Sequence, residues 1–205
     1  MATRQTGAQP EWGERHAGRL ASALQGLRGL LGAKQPATRA SLGSLPLQLR
    51  RSEVAAPYLA AEASGDHQRA GAAATAAMQA ATSAGEWWPA DIWGHRALWH
   101  FERAGMELAA TRAARLIGDI RWLAGDPASS RRYYAEAISE ARDLGAEREE
   151  GLAALGMGRA ALDLGDVTTA RRLGDIAAGL LERCGAPADE LAAARELHGE
   201  EREVG

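Results

Sequence analysis

Four side chains that could bind a charged partner recur at helical spacing in the middle of the chain. Arg112, Arg115, Asp119 and Trp122 fall within about 80° of one another at the 100° per residue of an α-helix. Guanidinium groups bind carboxylates through paired hydrogen bonds, and an indole ring stacks on arginine or on a peptide side chain. The spacing therefore predicts a helical face that binds an acidic or peptidic ligand. The alternative is an ion pair within the helix, since Arg115 and Asp119 stand four residues apart.

A second group of candidate residues is aromatic. The segment from Gly85 to Gly105 holds four of the six tryptophans and the only phenylalanine, namely Trp87, Trp88, Trp93, Trp99 and Phe101. In an alanine-rich chain, one interpretation is that these rings fill the wider gaps between helices. The other is that some of them line an open pocket or an interface with a second subunit, where tryptophan is a favoured anchor. Trp87 and Trp88 lie in a predicted joint and are expected to be the most exposed.

The other reactive residue types do not form a catalytic or metal-binding set. His95 and His100 are five residues apart and diverge by about 140° on a helix, so they cannot form a two-histidine metal face. Cys184 is the only cysteine, which excludes an internal disulfide and a cysteine-based metal cluster. Acidic runs such as GAEREEG are typical of solvated helix starts. A non-enzymatic protein without a cofactor or a metal is expected.

Composition narrows the classes of partner. The 205 residues carry a net charge of −3, so nothing attracts the whole chain to nucleic acid or to an anionic membrane. No apolar run is long enough for a membrane span, and the N-terminus has no apolar signal core. These features predict a cytoplasmic protein that does not bind nucleic acid or membranes.

Glycines spaced twenty residues apart divide the chain into segments that must position these residues. They occupy positions 65, 85, 105, 125, 145, 165 and 185, and aspartate follows the glycine at three of them, as Asp66, Asp126 and Asp166. Glycine favours the left-handed position after a helix and aspartate favours the N-cap of the next, so Gly-Asp predicts a joint between two helices. Strand-like alternation is absent from the sequence. The chain is predicted to be all-α, an antiparallel helix-pair solenoid of about eight helices.

Segments forty residues apart also match one another. ARLIGDIRWLAGD aligns with ALGMGRAALDLGD, and the matched small and aromatic positions are Gly118, Gly125, Ser130, Tyr134 and Ala137, then Gly158, Gly165, Ala170 and Ala177. This spacing resembles the tetratricopeptide-repeat family over residues 112–184 and, more weakly, 52–84. The forty-residue period is like that of repeat arrays in bacterial regulators. The resemblance implies a solenoid whose first helices line a concave groove for a protein or peptide.

The same resemblance assigns the stripe of charged residues to that groove. It implies groove positions for Arg112, Arg115, Asp119 and Trp122, and comparable positions in the next repeat for Arg159 and Asp163. Asp119 stands where the family's clamp for a peptide C-terminus has asparagine, so recognition of a free C-terminal carboxylate is not implied. The predicted role is a protein- or peptide-binding adaptor or regulatory module. The alternatives are a small-molecule-binding protein with a Trp-lined pocket and a self-associating assembly factor, hence a homo-oligomer, that uses Trp87 and Trp88.

The glycine spacing raises a question of direction. If all Gly-Asp joints lie on one edge of the array, the three segments between Gly65 and Gly125 cannot all be separate helices. Gly105 has no proline or N-cap residue beside it, whereas Pro89 follows Gly85 closely. One long central helix over 89–124 is therefore predicted, with Gly105 inside it.

The remaining segments complete the predicted organisation. Residues 1–46 form an N-terminal helix, over 11–32, followed by a linker. Residues 47–205 form the repeat array, which starts with a helix over 47–64 and ends with a capping helix after Gly185.

Overall fold

The computed structural model describes residues 53–199 and, before them, Pro46 and Leu49. The predicted N-terminal helix over 11–32 lies outside the described residues, as does nearly all of the predicted linker. Eight α-helices make up the described part of the chain: α1 Ala55–Ala63, α2 His67–Ser83, α3 Trp87–Arg103, α4 Glu107–Leu123, α5 Pro127–Asp143, α6 Glu147–Asp163, α7 Val167–Arg183 and α8 Ala188–Gly199. Those residues include no strand, which confirms the all-α prediction. None of the described helices is long and apolar enough to cross a membrane.

Each helix from α1 to α7 ends at one of the regularly spaced glycines. All seven glycines have a positive φ, between 65° at Gly145 and 82° at Gly125, which L-residues with side chains rarely adopt. At the first joint the amide of Asp66 bonds the carbonyl of Ala61 at 3.0 Å, and that of Gly65 bonds Glu62 at 3.1 Å. This pattern is a Schellman motif, which satisfies the last carbonyls of the helix. The glycine spacing thus sets the length of every helix from α2 to α7 at 17 residues.

Aspartate at these joints stabilises the start of the next helix, but it does not determine on which edge of the array the joint lies. Asp66, Asp126 and Asp166 each accept a hydrogen bond from the backbone amide three residues on. Glu86 caps α3 without such a bond, because the third helical residue there is Pro89, which has no amide to donate. The chain therefore reverses direction at every joint that has the glycine, whether or not an aspartate follows it.

The prediction of one long central helix over 89–124 is wrong. α3 ends at Arg103, Gly105 adopts a φ of 66°, and α4 begins at Glu107. The amide of Met106 bonds the carbonyl of Phe101 at 2.9 Å, so this joint has the same geometry as the Gly-Asp joints. The prediction assumes that all Gly-Asp joints lie on one edge of the array. Gly65-Asp66 follows the odd-numbered helix α1, whereas the other two Gly-Asp joints follow the even-numbered helices α4 and α6.

The start of the array also differs from its prediction. The predicted helix over 47–64 is interrupted, because residues 53 and 54 form a turn and α1 begins at Ala55, with Pro57 in its first turn. Of residues 47–52 the structure describes only Leu49, which is helical. α2 and α3 precede α4 and α5 by one forty-residue period. The equivalent unit is therefore 67–103, and the weaker match over 52–84 is shifted by one helix.

Consecutive helices pack against each other and form two layers. The even-numbered helices form one layer and the odd-numbered helices form the other, because the chain reverses at every joint. α4 also contacts α6 directly, and α6 contacts α8, whereas contacts within the odd layer over the same stretch are sparser. In a stacked array the layer whose helices lie closer together is the inner one. The inner layer here is that of α4, α6 and α8.

The core changes in character along the array. Around α1 to α4 it contains large side chains, with Tyr58, Met78, Trp93 and Phe101 all buried. Around α6 to α8 it is built from leucines, including Leu155, Leu173, Leu181 and Leu197. Ala77, Ala137 and Ala177, each twelve residues after a joint glycine, are at most 1% exposed. Their small side chains let adjacent helices approach closely.

Candidate functional site

The six predicted groove residues lie together on α4 and α6, and we refer to them as the α4–α6 face: Arg112, Arg115, Asp119, Trp122, Arg159 and Asp163. They form two clusters, one centred on Arg115 and one on Trp122. The arrangement follows from sequence because α4 and α6 share a layer and are forty residues apart. That these residues bind a partner remains a prediction.

The first cluster is a branched set of ion pairs. Arg115 Nη1 donates to Asp119 Oδ2 at 2.6 Å, and Arg115 Nε donates to Glu149 Oε2 at 3.0 Å. Arg112 Nε donates to the other oxygen of Glu149 at 2.8 Å. Side-chain exposure is 4% for Glu149 and 14% for Arg115, but 50% for Arg112. The ion pairs therefore have a buried base and one guanidinium at the surface.

Tyr134 of α5 holds the buried part of this ion-pair cluster in place. Its hydroxyl donates to Asp119 Oδ1 at 2.9 Å, and its ring is fully buried. A Cβ atom on Gly118 would lie 2.8 Å from Tyr134 Cε1, and one on Gly156 would lie 2.4 Å from the same atom. Tyr134 thus fills a slot between α4 and α6 that exists only because both helices carry glycine there.

The two carboxylates that share Arg115 have opposite pKa shifts. Burial opposes ionisation of Glu149, but the guanidinium groups of Arg115 and Arg112 outweigh it and lower the pKa of that carboxyl. Burial also dominates at Asp119 and raises its pKa, since Arg115 and the Tyr134 hydroxyl offset the loss of hydration only in part. Glu149 is therefore the fixed negative charge of the cluster.

The second cluster lies nearer the other end of the two helices. Trp122 Nε1 donates to Asp163 Oδ2 at 2.6 Å, and the guanidinium of Arg159 lies over the Trp122 ring, 5.8 Å from its centroid. Trp122 and Arg159 are half-buried, and Asp163 is exposed. A cation over an indole ring and a hydrogen bond to the indole N–H together fix the ring at the surface.

Sequence reasoning missed Glu149 and interpreted its surroundings wrongly. The run GAEREEG was expected to be a solvated helix start, yet Glu149 and Glu150 are 3% and 8% exposed. Each lies against an arginine from a neighbouring helix, Arg115 from α4 and Arg142 from α5. An acidic residue at the third position of a helix gives no signal of such partners. Glu149 lies 37 and 34 residues after Arg112 and Arg115, in the next helix of the same layer, and no repeat of the forty-residue period leads from the arginines to it.

The aromatic candidates separate into core and half-buried residues. Trp93 and Phe101 are 1% and 8% exposed, so they fill the core and do not line an open pocket. Trp87 and Trp88 are the first two residues of α3, not joint residues, and both are half-buried. Trp88 packs on the core around α1 to α4, and Trp99 is half-buried as well, so the expectation that Trp87 and Trp88 are the most exposed of the group stays a prediction. A groove between α5, α6 and α7 is lined by residues that include Arg142, Ile176 and Arg183, and no tryptophan contributes to it.

A second polar network lies inside α1 to α3. We call it the histidine–tyrosine network, and its members are Tyr58, Glu62, His67, Arg96 and His100. Arg96 and His100 are 3% and 1% exposed, and sequence reasoning assigned neither a role. Trp99 lies beside it, half-buried, with its ring edge-on to both histidines and beneath the guanidinium of Arg103. Tyr58 bonds Glu62, Arg96 and His100, and the two histidines bond each other, which is how buried polar side chains are normally accommodated.

The part of the chain that the structure describes contains no group of three His, Cys, Asp or Glu side chains placed to hold a metal ion. In comparisons with known proteins, no protein-family model and no curated protein matches the chain. The interpretation of the α4–α6 face therefore rests on its geometry, and the likeness to tetratricopeptide repeats stays a prediction.

Proposed function

We propose that the chain is a non-enzymatic, cytoplasmic module that binds a protein or peptide segment along the α4–α6 face, as the resemblance to tetratricopeptide repeats implies. The observation that carries the proposal is that this face holds two guanidinium groups with unused donors beside a surface tryptophan. The face also belongs to the inner layer of the array, where the neighbouring helices lie closest.

The unused donors belong to Arg112 and Arg159. Arg112 contacts Glu149 through Nε alone, so its two terminal nitrogens have no hydrogen-bond acceptor within residues 53–199. Arg159 lies over the Trp122 ring and has no hydrogen-bond acceptor in that range either. A carboxylate or a peptide carbonyl from a partner would supply these acceptors.

The side chains beneath these donors are fixed before any partner arrives. Glu149 anchors Arg112, and Arg115 with Tyr134 anchors the carboxylates beneath it. Asp163 fixes the indole of Trp122. A partner therefore orders few side chains when it binds, which lowers the entropic cost of association.

The test is a selection of random peptides displayed on phage against the full chain. Trp122→Ala and Arg159→Gln remove the exposed elements without touching the buried base. Ile176→Ala is the matched control, because Ile176 is 41% exposed but lies on α7 in the other layer. Enriched peptides are expected to lose at least about tenfold in affinity for the first two variants and to keep their affinity for the control.

Peptides that bind Trp122→Ala and Arg159→Gln as tightly as the native chain would overturn the proposal. Arg115→Glu is unsuitable as a test variant. It would place three carboxylates around one buried position and would weaken the fold itself.

A further inference from the structure

A chain of hydrogen bonds runs through the interior from α1 to α2 and includes two histidines. Tyr58 Oη donates to Glu62 Oε1 at 2.6 Å and accepts from Arg96 Nη1 at 2.8 Å. His100 Nε2 lies 3.2 Å from the same hydroxyl, and His100 Nδ1 lies 2.9 Å from His67 Nδ1. Tyr58 and His100 are 0% and 1% exposed. Two buried side chains therefore link α1 to α3, and the half-buried His67 extends the link to α2.

The proton positions in this chain follow from its donors. Because Tyr58 donates its own proton to Glu62, its oxygen can only accept from His100, and His100 carries a proton on Nε2. The Nδ1 atom of neutral His100 is then a lone pair, to which His67 Nδ1 must donate. With His67 as the donor, both ring nitrogens of His100 are satisfied only while the His100 ring is neutral.

This arrangement cannot persist when both rings are doubly protonated. A protonated His67 alone can still donate its Nδ1–H to neutral His100. With both rings protonated, two N–H groups face each other across 2.9 Å, and neither can accept from the other. The charged groups acting on His100 are His67 from α2, Glu62 from α1 and Arg96 from its own helix; within the described residues none acts from α4. Of these, only Glu62 favours a charged ring.

We propose that the His67–His100 pair is an acid-sensitive latch, which holds α1 on α2 and α3 while His100 is neutral and releases α1 when both rings are protonated. Tyr58 is the element that the latch holds. Its hydroxyl is bonded to His100, and its ring stands edge-on to Trp93 with centroids 5.1 Å apart. α1 is the first described helix and, among the other described helices, packs mainly on α2.

The pH window follows from the shift at His100. Burial, followed by the neighbouring His67 and Arg96, lowers the pKa of His100 from 6.5 to about 4. The released state protonates at the ordinary value, so the stabilising contribution is complete above about pH 6.5 and is lost as the pH falls from there towards 4. Within that window each pH unit shifts the docking equilibrium by up to about tenfold.

The experiment combines a ring-nitrogen NMR titration of His100 in the full chain with hydrogen exchange of α1 over the same pH range. His67→Gln is the informative variant, because an amide oxygen can accept from a protonated His100. It is expected to raise the His100 midpoint by about one pH unit and to reduce the pH dependence of α1 exchange. His95→Gln is the matched control, since His95 also bridges two helices, with Nε2 3.0 Å from the Tyr133 hydroxyl, but lies outside the network.

In the native chain, the latch predicts that α1 amides lose protection in this window while α6 amides keep theirs, and that His95→Gln behaves like the native chain. A His100 midpoint near the ordinary histidine value would overturn the proposal. An unchanged midpoint in His67→Gln, or equal loss of protection in α1 and α6, would overturn it as well.

Discussion

The two halves of the array use the same 17-residue helix and the same glycine joint, yet they place their polar groups differently. In α1 to α3, Arg96 and His100 are buried and bonded to Tyr58, so the centre of the network is shielded from solvent and only Glu62 and His67 reach its edge. In α4 to α6 the ion pairs have a buried base, but Arg112 remains half-exposed with donors to spare. Burial with full pairing is typical of a structural network, whereas unused donors at the surface are typical of a binding site.

Two tryptophans make this comparison specific. Arg103 lies over Trp99 at 5.7 Å, and Arg159 lies over Trp122 at 5.8 Å, so each indole has an arginine on its face. Trp99 also contacts the rings of His67 and His100, which ties it to the histidine–tyrosine network. Trp122 instead lies on the inner layer beside Asp163. The same pair of residue types thus serves packing in one half and, in our account, recognition in the other.

The largest expected effect comes from filling the slot around Tyr134. In Gly156→Ala the new Cβ would lie 2.4 Å from Tyr134 Cε1, and the ring is held in place because α4 also approaches it at Gly118 and Asp119 accepts from its hydroxyl. We expect a loss of about 2 to 4 kcal/mol in the free energy of unfolding, measured by urea denaturation. Gly71→Ala makes a similar clash with Phe101 in the other half, at 2.7 Å. It is expected to cost less, because the Phe101 ring has no hydrogen bond to hold it.

Gly179→Ala is the control for both variants. It is also within a helix, but its Cβ would meet only Arg183 Nη1 at 3.7 Å. It is expected to be neutral or to stabilise by up to about 1 kcal/mol, as alanine normally does in place of a helical glycine. Equal costs for Gly156→Ala and Gly179→Ala would show that Tyr134 does not occupy a rigid slot.

Neutralising one carboxylate in each half is expected to give one effect of similar size and one that is much smaller. Glu149→Gln leaves Arg112 and Arg115 without their shared charge at a buried position, and we expect a cost of about 3 kcal/mol in the free energy of unfolding. Glu62→Gln is expected to cost less than about 1 kcal/mol, because Glu62 is 41% exposed and an amide oxygen can still accept from Tyr58.

The pH dependence of the stability loss in Glu149→Gln gives a further test. The lowered pKa of Glu149 means that its charge stabilises the fold above its ordinary pKa of 4.5, and that this stabilisation is lost as the pH falls below that value. Glu149→Gln should therefore lose more stability at pH 7 than at pH 3.5, as followed by thermal unfolding. An equal loss at both pH values would contradict the assignment of Glu149 as the fixed charge.

The sequence predicts where the helices of this chain end better than it predicts where the chain reverses direction and which polar side chains are buried. Glycine at every joint has one conformational reason, the positive φ after a helix, so all seven helix ends follow from spacing. The prediction of one long helix is wrong because aspartate at a joint does not determine where the chain reverses, and Gly105 reverses it without an aspartate. The burial of Glu149 and His100 depends on partners 34 and 42 residues away in sequence, Arg115 and Tyr58, and no local pattern encodes those contacts.

The central claim is that the α4–α6 face recognises a partner while its aromatic counterpart in α3 serves packing. The most direct test places a photoreactive benzoylphenylalanine at position 122 or, in a second variant, at position 99, in cells that produce the protein. Our account predicts that position 122 forms a crosslink to a partner polypeptide, that adding Arg159→Gln reduces it, and that position 99 forms none. Crosslinks from position 99 but not from position 122, or equal crosslinking that Arg159→Gln leaves unchanged, would contradict it.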